Sequence, residues 1–305
     1  MDTQQLKAAI LEEKKKSGTM ILAHTYQEPD IIDIADFSGD SYALSVKAQQ
    51  CEQKRILLCG VRFMAETANI LSPEKQVFLP APNATCPMAE QISPERVREF
   101  RKENPNVCVV AYINTTAELK AECDVCVTSS SAVKIISALP QRDILFIPDK
   151  NLGGWVAQQL PEKNIILWDG YCVVHNRLNV MDVQIAKAQS PFAKIAVHPE
   201  CPAEVVELAD MVGSTSAIID YCLCVKDDVI IGTERNVCEY LKQEHPERNF
   251  IQINPEKLTC VNMKKTTLQH VYDTLTGRGG VQIVVDEPLR SKAKRSIDNM
   301  LKYGG

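Results

Sequence analysis

No run of apolar residues in this chain approaches the roughly 18 that a membrane-crossing helix needs. The N-terminus also lacks the charged, apolar and small-residue succession that directs secretion. The expected compartment is the cytoplasm. Basic clusters are equally scarce. Net charge is −5, Lys and Arg are scattered, and the one basic run, Lys14-Lys15-Lys16, ends an amphipathic helical pattern where cations suit the helix dipole. That distribution argues against nucleic acid and against anionic membranes as partners. Gly/Ser-rich and Pro-rich linkers are absent too, so one compact body is expected from a length that could fill two or three cores. With 45% hydrophobic and 24% charged residues, the balance is that of a soluble globular protein.

Cysteine, by contrast, is plentiful, with twelve in 305 residues. Disulfides are disfavoured in the cytosol, and the ordinary role of a cytosolic cysteine is a small buried hydrophobe. Cys59, Cys108, Cys126, Cys222 and Cys224 fall inside apolar strand or helix patterns and are assigned that role. Cys123-x-x-Cys126 has the spacing of a redox or zinc half-site. Its flanks, Glu122, Asp124-Val125 and Val127-Thr128, read instead as a strand running into a turn.

The informative cysteines emerge from internal periodicity. Three apolar strands end in similar polar clusters: Ile21-Leu22-Ala23-His24-Thr25-Tyr26, Val110-Ala111-Tyr112-Ile113-Asn114 and Ile195-Ala196-Val197-His198-Pro199-Glu200. His24, Tyr112 and His198 stand 88 and 86 residues apart. Twelve residues after each comes Asp36, Asp124 or Asp210, and seventeen after each comes Ser41, Ser129 or Thr215. Sixty to sixty-two after each comes Cys86, Cys172 or Cys260. Short β-branched runs at 20–24, 35–38, 56–59 and 76–79 recur at 107–112, 124–127, 144–147 and 164–168, and again at 194–198, 210–213, 228–231 and 249–253. Helical patterns alternate with them, one being 93–103 with Pro94 in its first turn. The expected fold is therefore α/β: three homologous parallel-sheet α/β/α repeats with pseudo-threefold symmetry around a central active site. The predicted repeats are 1–90 with 266–305, 91–177 and 178–265. Two helical patterns, 266–276 and 288–301, flank a strand at 281–285 in the tail, which is expected to close onto the first repeat.

In open parallel sheets, ligands sit beyond the carboxyl ends of the strands, where these repeated residues fall. Asp36, Asp124 and Asp210 read as turn or strand-entry residues, but a turn has no use for a thiol. Structural zinc favours four ligands in local pairs, and electron-transfer ferredoxins use closely spaced cysteines. Three distant cysteines suit a metal or cluster with one open position, a Lewis acid for dehydration. Helix starts expected at Ser41, Ser129 and Thr215 offer N–H groups to anions. His24 and His198 are expected to add protons or positive charge near pH 7, and Tyr26 and Glu200 form the natural acid/base pair. His245 and His270, on polar helix patterns, are left as ordinary surface or core histidines.

Longer motifs then carry a resemblance. Ala23-His24-x-Tyr26-Gln27, Asp36-Phe37-x-Gly39-Asp40-Ser41 and Phe63-Met64-Ala65-Glu66 resemble the N-terminal third of quinolinate synthases. Tyr112-x-Asn114, Pro148-Asp149-x-Asn151-Leu152-Gly153 and Gly170-Tyr171-Cys172-Val173-Val174-His175 resemble the middle third. His198-Pro199-Glu200-Cys201, Gly213-Ser214-Thr215 and Cys260-x-Asn262-Met263-Lys264 resemble the last. The resemblance implies a [4Fe–4S] cluster on Cys86, Cys172 and Cys260. It implies a substrate shell of His24, Ser41, Tyr112, Asn114, Ser129, His198, Glu200 and Thr215, with Tyr26, Glu200 and His198 catalytic. The implied reaction condenses iminosuccinate with dihydroxyacetone phosphate to quinolinate, phosphate and two waters, in NAD biosynthesis. An enzyme supplying iminosuccinate is the implied transient partner. Two departures stand out. No cysteine follows Cys260, so a C-terminal thiol cluster found in some members is absent, and Arg62 sits where histidine is common. The rival readings are another cluster-dependent hydroxy-acid dehydratase and a non-catalytic iron–sulfur sensor.

Overall fold

A computed structural model describes residues 1–304. Aliphatic runs form strands and the segments between them form helices. The first four strands are β1 (Thr19–His24), β2 (Phe37–Gly39), β3 (Arg55–Cys59) and β4 (Gln76–Leu79). The next four are β5 (Cys108–Tyr112), β6 (Val125–Val127), β7 (Asp143–Ile147) and β8 (Asn164–Leu167). Then come β9 (Lys194–Val197), β10 (Met211–Val212), β11 (Val229–Gly232) and β12 (Phe250–Gln252), and β13 (Val281–Ile283) lies in the tail. They build three sheets ordered β13-β4-β3-β1-β2, β6-β5-β7-β8 and β10-β9-β11-β12. Apart from β13, each sheet has the same order, second-first-third-fourth, and every pairing among these strands is parallel. β1, β5 and β11 are buried along their whole length. Such strands read as unbroken apolar runs because helices cover both faces of a parallel sheet.

Two devices recur in all three repeats and fix the ends that matter. Asp36, Asp124 and Asp210 each enter the second strand of a repeat. Their Oδ2 atoms accept from the N–H groups of Ile21, Val109 and Ile195 at 2.8, 2.8 and 2.9 Å. Their own N–H groups donate to the carbonyls of the same three residues. The aspartates are strand-entry staples, as the sequence suggests. The second device lies beyond the third strand. The first N–H of the following helix, from Arg62, Lys150 or Arg235, donates to the carbonyl of Ala84, Gly170 or Leu258 at 2.9, 2.8 and 2.8 Å. Each carbonyl lies two residues before a cysteine, so Cys86, Cys172 and Cys260 are delivered to the same place in each repeat. A short 3-10 turn follows every one: Met88–Glu90, His175–Arg177 and Met263–Lys265.

The tail straps two repeats. β13 adds antiparallel to β4, and helix Leu268–Leu275 packs on helix Thr3–Ser17. Helix Glu287–Gly304 instead crosses onto the second repeat, against β6 and helix Ala117–Lys120. There Ser296 Oγ donates to the Lys120 carbonyl at 3.0 Å and Asn299 Nδ2 to that of Asp124 at 2.8 Å. Among the described residues no helix is long and apolar enough to cross a membrane. Cys59, Cys108, Cys126 and Cys222 are buried as expected, but Cys224 is exposed. It ends helix Thr215–Cys224, two residues past the buried Cys222 and so turned roughly 200° from it about the helix axis. Cys123 and Cys126 serve the core. Their thiols donate to the Leu119 carbonyl at 3.0 Å and to Ser296 Oγ at 3.4 Å.

Removing a staple leaves a strand N–H without its charged acceptor. Asp124→Ala should destabilise the chain by about 1–3 kcal/mol, read as a lower urea midpoint. Asp124→Asn, which keeps one acceptor oxygen, should lose less.

Candidate active site

The carboxyl ends of the three sheets supply one cavity of about 100 Å³. His24, Tyr26, Ser41 and Cys86 line it from the first repeat, and Tyr112, Asn114, Ser129 and Cys172 from the second. His198, Glu200, Thr215 and Cys260 line it from the third. Every candidate site residue thus reaches the same space. Arg62 is exposed and opens helix Arg62–Leu71 instead.

Local geometry sets the histidine tautomers. The Tyr26 N–H donates to His24 Nδ1 at 3.1 Å, and the Glu200 N–H to His198 Nδ1 at 3.3 Å, the same contact in two repeats. With Nδ1 accepting, a neutral ring carries its proton on Nε2. Burial pushes His24 down to about 4, with Lys264 adding to the effect and Asp40 and Glu200 opposing it. Burial likewise takes His198 to about 4, against the attraction of Glu200. Both rings are neutral at pH 7. They act as N–H donors and not as the positive charges expected from sequence, because desolvation outweighs the neighbouring carboxylates.

Glu200 is 4% exposed. Burial alone would raise its carboxyl, but His198, His175 and hydrogen bonds from His175 and Tyr112 outweigh it and hold the group well below the ordinary carboxylate range. Tyr112 Oη donates to Oε1 at 2.6 Å, and His175 Nδ1 lies 2.8 Å from Oε2. His175 also stacks on His198 with ring centroids 4.8 Å apart, and its Nε2 lies 3.1 Å from Thr233 Oγ1. The Tyr26 hydroxyl in turn contacts Thr233 Oγ1 at 3.1 Å and Thr215 Oγ1 at 2.9 Å. A continuous path therefore runs Tyr26–Thr233–His175–Glu200–Tyr112, joining the acid/base candidates of the first and third repeats. Burial raises both tyrosines well above their ordinary value, so each remains a phenol. Neither His175 nor Thr233 recurs at the matching position of another repeat, so spacing alone does not reveal them. His175 lies three residues past Cys172, where the other repeats carry Ala89 and Met263.

Ser41 and Thr215 open helices Ser41–Gln50 and Thr215–Cys224, capped by the Asp40 and Ser214 side chains. Ser129 departs from this pattern. The next helix begins only at Ala132, because Ser131 Oγ accepts from the Thr128 N–H and bends 128–131 into a turn. Asn114 Oδ1 is buried with no hydrogen-bond partner among the described residues. Its loop is fixed from behind by the fully buried Lys120, whose ammonium donates to the Ile113 carbonyl at 2.8 Å and to that of Thr115. An orphaned buried acceptor on the cavity wall calls for a donor from a ligand or water.

The cysteines fit an iron–sulfur cluster by the chemistry around their sulfurs. Burial pushes Cys86 up to about 12, while the N–H groups of Ala89 and Met88 oppose it. Burial likewise raises Cys172 against the His175 N–H, and Cys260 against those of Met263 and Asn262. In each case the opposing influence comes from backbone N–H groups two or three residues on, and it favours thiolate. A lone divalent ion has another candidate set in Cys172, His175 and Glu200, whose ligand atoms lie within 4.8 Å of one another. His175 and Glu200 are already each other's partners, so that set has no unmet demand.

Residues 8–302 match the family model described as quinolinate synthetase A protein. Parallel α/β repeats around one cavity with three thiols define the class, and the chain belongs to the quinolinate synthetase A family. A quinolinate synthase from Clostridioides difficile (strain 630) is 47% identical over 294 residues, covering 96% of each chain. One from Caldicellulosiruptor bescii is 46% identical over 305 residues and the whole of both chains. One from Aquifex aeolicus is 43% identical over 308 residues, covering 99% of this chain and 95% of its own.

The lowered histidines carry a stability signature. With folded values near 4 and an ordinary value of 6.5, the unfolded chain binds more protons between these limits. Stability should fall as pH drops from about 6.5 towards 4, by on the order of 3 kcal/mol per histidine. The urea midpoint followed across that window should flatten in the His24→Gln, His198→Gln double variant. A wild-type midpoint unchanged from pH 7 to pH 4.5 would contradict the assignment.

Proposed function

We propose that this chain is a cytoplasmic quinolinate synthase that condenses iminosuccinate with dihydroxyacetone phosphate, releasing phosphate and two waters. The observation that carries the reading is the meeting of Cys86, Cys172 and Cys260 with Glu200, Tyr26 and His198 on one cavity. The three thiols would hold a [4Fe–4S] cluster. When bound, its open iron supplies a Lewis acid for a departing substrate oxygen.

The chain's own residues supply the rest. Neutral His24 and His198 offer Nε2–H to substrate carboxylates, and Asn114, Ser41, Ser129 and Thr215 add neutral hydrogen bonds. Glu200 is the group that takes a carbon-bound proton. Tyr112 holds it in the resting cavity, and displacement of that phenol by substrate removes one of the contacts that keep its basicity low. His175, fixed between Glu200 and Thr233, carries protons between the base and the Tyr26 hydroxyl, which delivers one to a leaving oxygen.

Purification without oxygen, iron and sulfide analysis, and a quinolinate assay on the two substrates test the whole reading. A cluster with no quinolinate would favour another hydroxy-acid dehydratase or a sensor. Cys86→Ser, Cys172→Ser and Cys260→Ser should lose the brown chromophore or hold an unstable cluster, while Cys108→Ala, Cys123→Ala and Cys126→Ala keep normal iron. Glu200→Gln should keep the cluster and bind substrates, with turnover reduced roughly 10²-fold or more. Turnover within a few-fold of wild type would remove Glu200 as the base.

A further inference from the structure

Two carboxylates outside the substrate shell hold cluster cysteines by the main chain. Asp149 and Glu234 are both 0% exposed, and each follows the third strand of its repeat. Asp149 Oδ1 accepts from the Leu152 N–H at 2.8 Å, capping helix Lys150–Gln159, while Oδ2 accepts from the Cys172 N–H at 2.8 Å. Glu234 repeats the arrangement before helix Arg235–Glu244. Its Oε2 accepts from the Asn236 N–H at 2.9 Å, and its Oε1 accepts from the Cys260 N–H at 3.1 Å and from Lys264 Nζ at 3.2 Å. The first repeat breaks the pattern. Val61 stands in this place with no capping side chain, so nothing equivalent reaches Cys86.

A carboxylate suits this position for a reason of valence. Both oxygens accept and neither must donate, so one side chain joins two N–H groups from separate segments. An amide has one acceptor oxygen and would press its NH2 group against the second N–H. The approach is close. A Cβ on Gly170, two residues before Cys172, would lie 2.4 Å from the Pro148 carbonyl oxygen, so the loop runs against the strand end only as glycine.

We propose that Asp149 and Glu234 are positioning residues for the iron–sulfur cluster, each locking the peptide of one cysteine. The proposal rests on the reading of the three thiols as cluster ligands. It makes the site unequal: the Cys172 and Cys260 corners are clamped by side chains, and the Cys86 corner depends on its backbone alone.

Serine at each position separates the two bonds, because it still caps a helix but is too short to hold the cysteine as well. In the iron-free full-length chain, alkylation by iodoacetamide mapped by mass spectrometry should rise several-fold at Cys172 in Asp149→Ser. It should rise at Cys260 in Glu234→Ser, with Cys86 unchanged in both. In the reconstituted chain, each variant should lose iron to a chelator several-fold faster than wild type, at a melting temperature within a few degrees. Wild-type alkylation and loss rates in folded variants overturn the proposal, as does an equal rise at all three cysteines. Should Asp149→Ser not fold, Asp149→Asn carries the same expectation at Cys172, and Glu234→Ser reads the contact independently. A wild-type chain that takes up no iron and sulfide overturns the cluster reading and this proposal with it. A wild-type cluster with unaltered variants overturns this proposal alone.

Discussion

A carboxylate excluded from water has to be met by donors on every side, and Glu200 imposes that demand on the centre of this protein. Its backbone belongs to the third repeat, yet one of its oxygens is satisfied by Tyr112 of the second. The other lies against His175, from the turn after β8. Desolvation of an unpaired carboxylate would cost several kcal/mol, so these partners cannot be lost one at a time without consequence. Meeting the demand also fixes the relative placement of the repeats. His175 can face Glu200 only with its other nitrogen turned to Thr233, and Thr233 then meets Tyr26 from the first repeat. One chain of hydrogen bonds thus ties all three repeats together at the cavity.

Repetition and divergence divide the work. Positions that set backbone geometry are alike in all three repeats: the aspartate staples, the carbonyl clasp before each cysteine, and the turn after it. At the cavity itself the cysteines and hydroxyls recur, and one position diverges completely. The residue two past His24, Tyr112 or His198 is Tyr26, Asn114 or Glu200, giving a phenol, an amide and a carboxylate at one repeat position. A cavity built of three identical sets could bind a symmetric ion but could not hold an acid and a base with different proton affinities.

What was legible in the sequence follows this division. Period and strand pattern reveal the sheets, and register reveals the cysteines, the histidines and Glu200, because these recur or replace one another at matched positions. His175 and Thr233 have no counterpart at the matching positions of the other repeats. Val61, Asp149 and Glu234 each stand two residues past the third strand of their repeat, 37, 37 and 36 residues after His24, Tyr112 and His198, but the change from valine to acid hides the match. Ser129 misled in the other direction. Its register with Ser41 and Thr215 is right, while Ser131 captures the local N–H and delays the helix. Side-chain competition for a backbone donor is invisible to spacing.

Burial explains the remaining difference between expectation and structure, the charge of the histidines. In the cavity as it stands His24 and His198 are neutral, the tyrosines are phenols and the thiols are pushed towards the protonated state, while Glu200 stays ionised. Neutral side chains at these positions limit the desolvation cost of enclosing so many polar groups. The same low dielectric magnifies the effect of any charge that arrives. An anionic ligand beside His24 or His198 raises their proton affinity far more than it would in water. Such a ligand therefore favours protonation of the ring beside it.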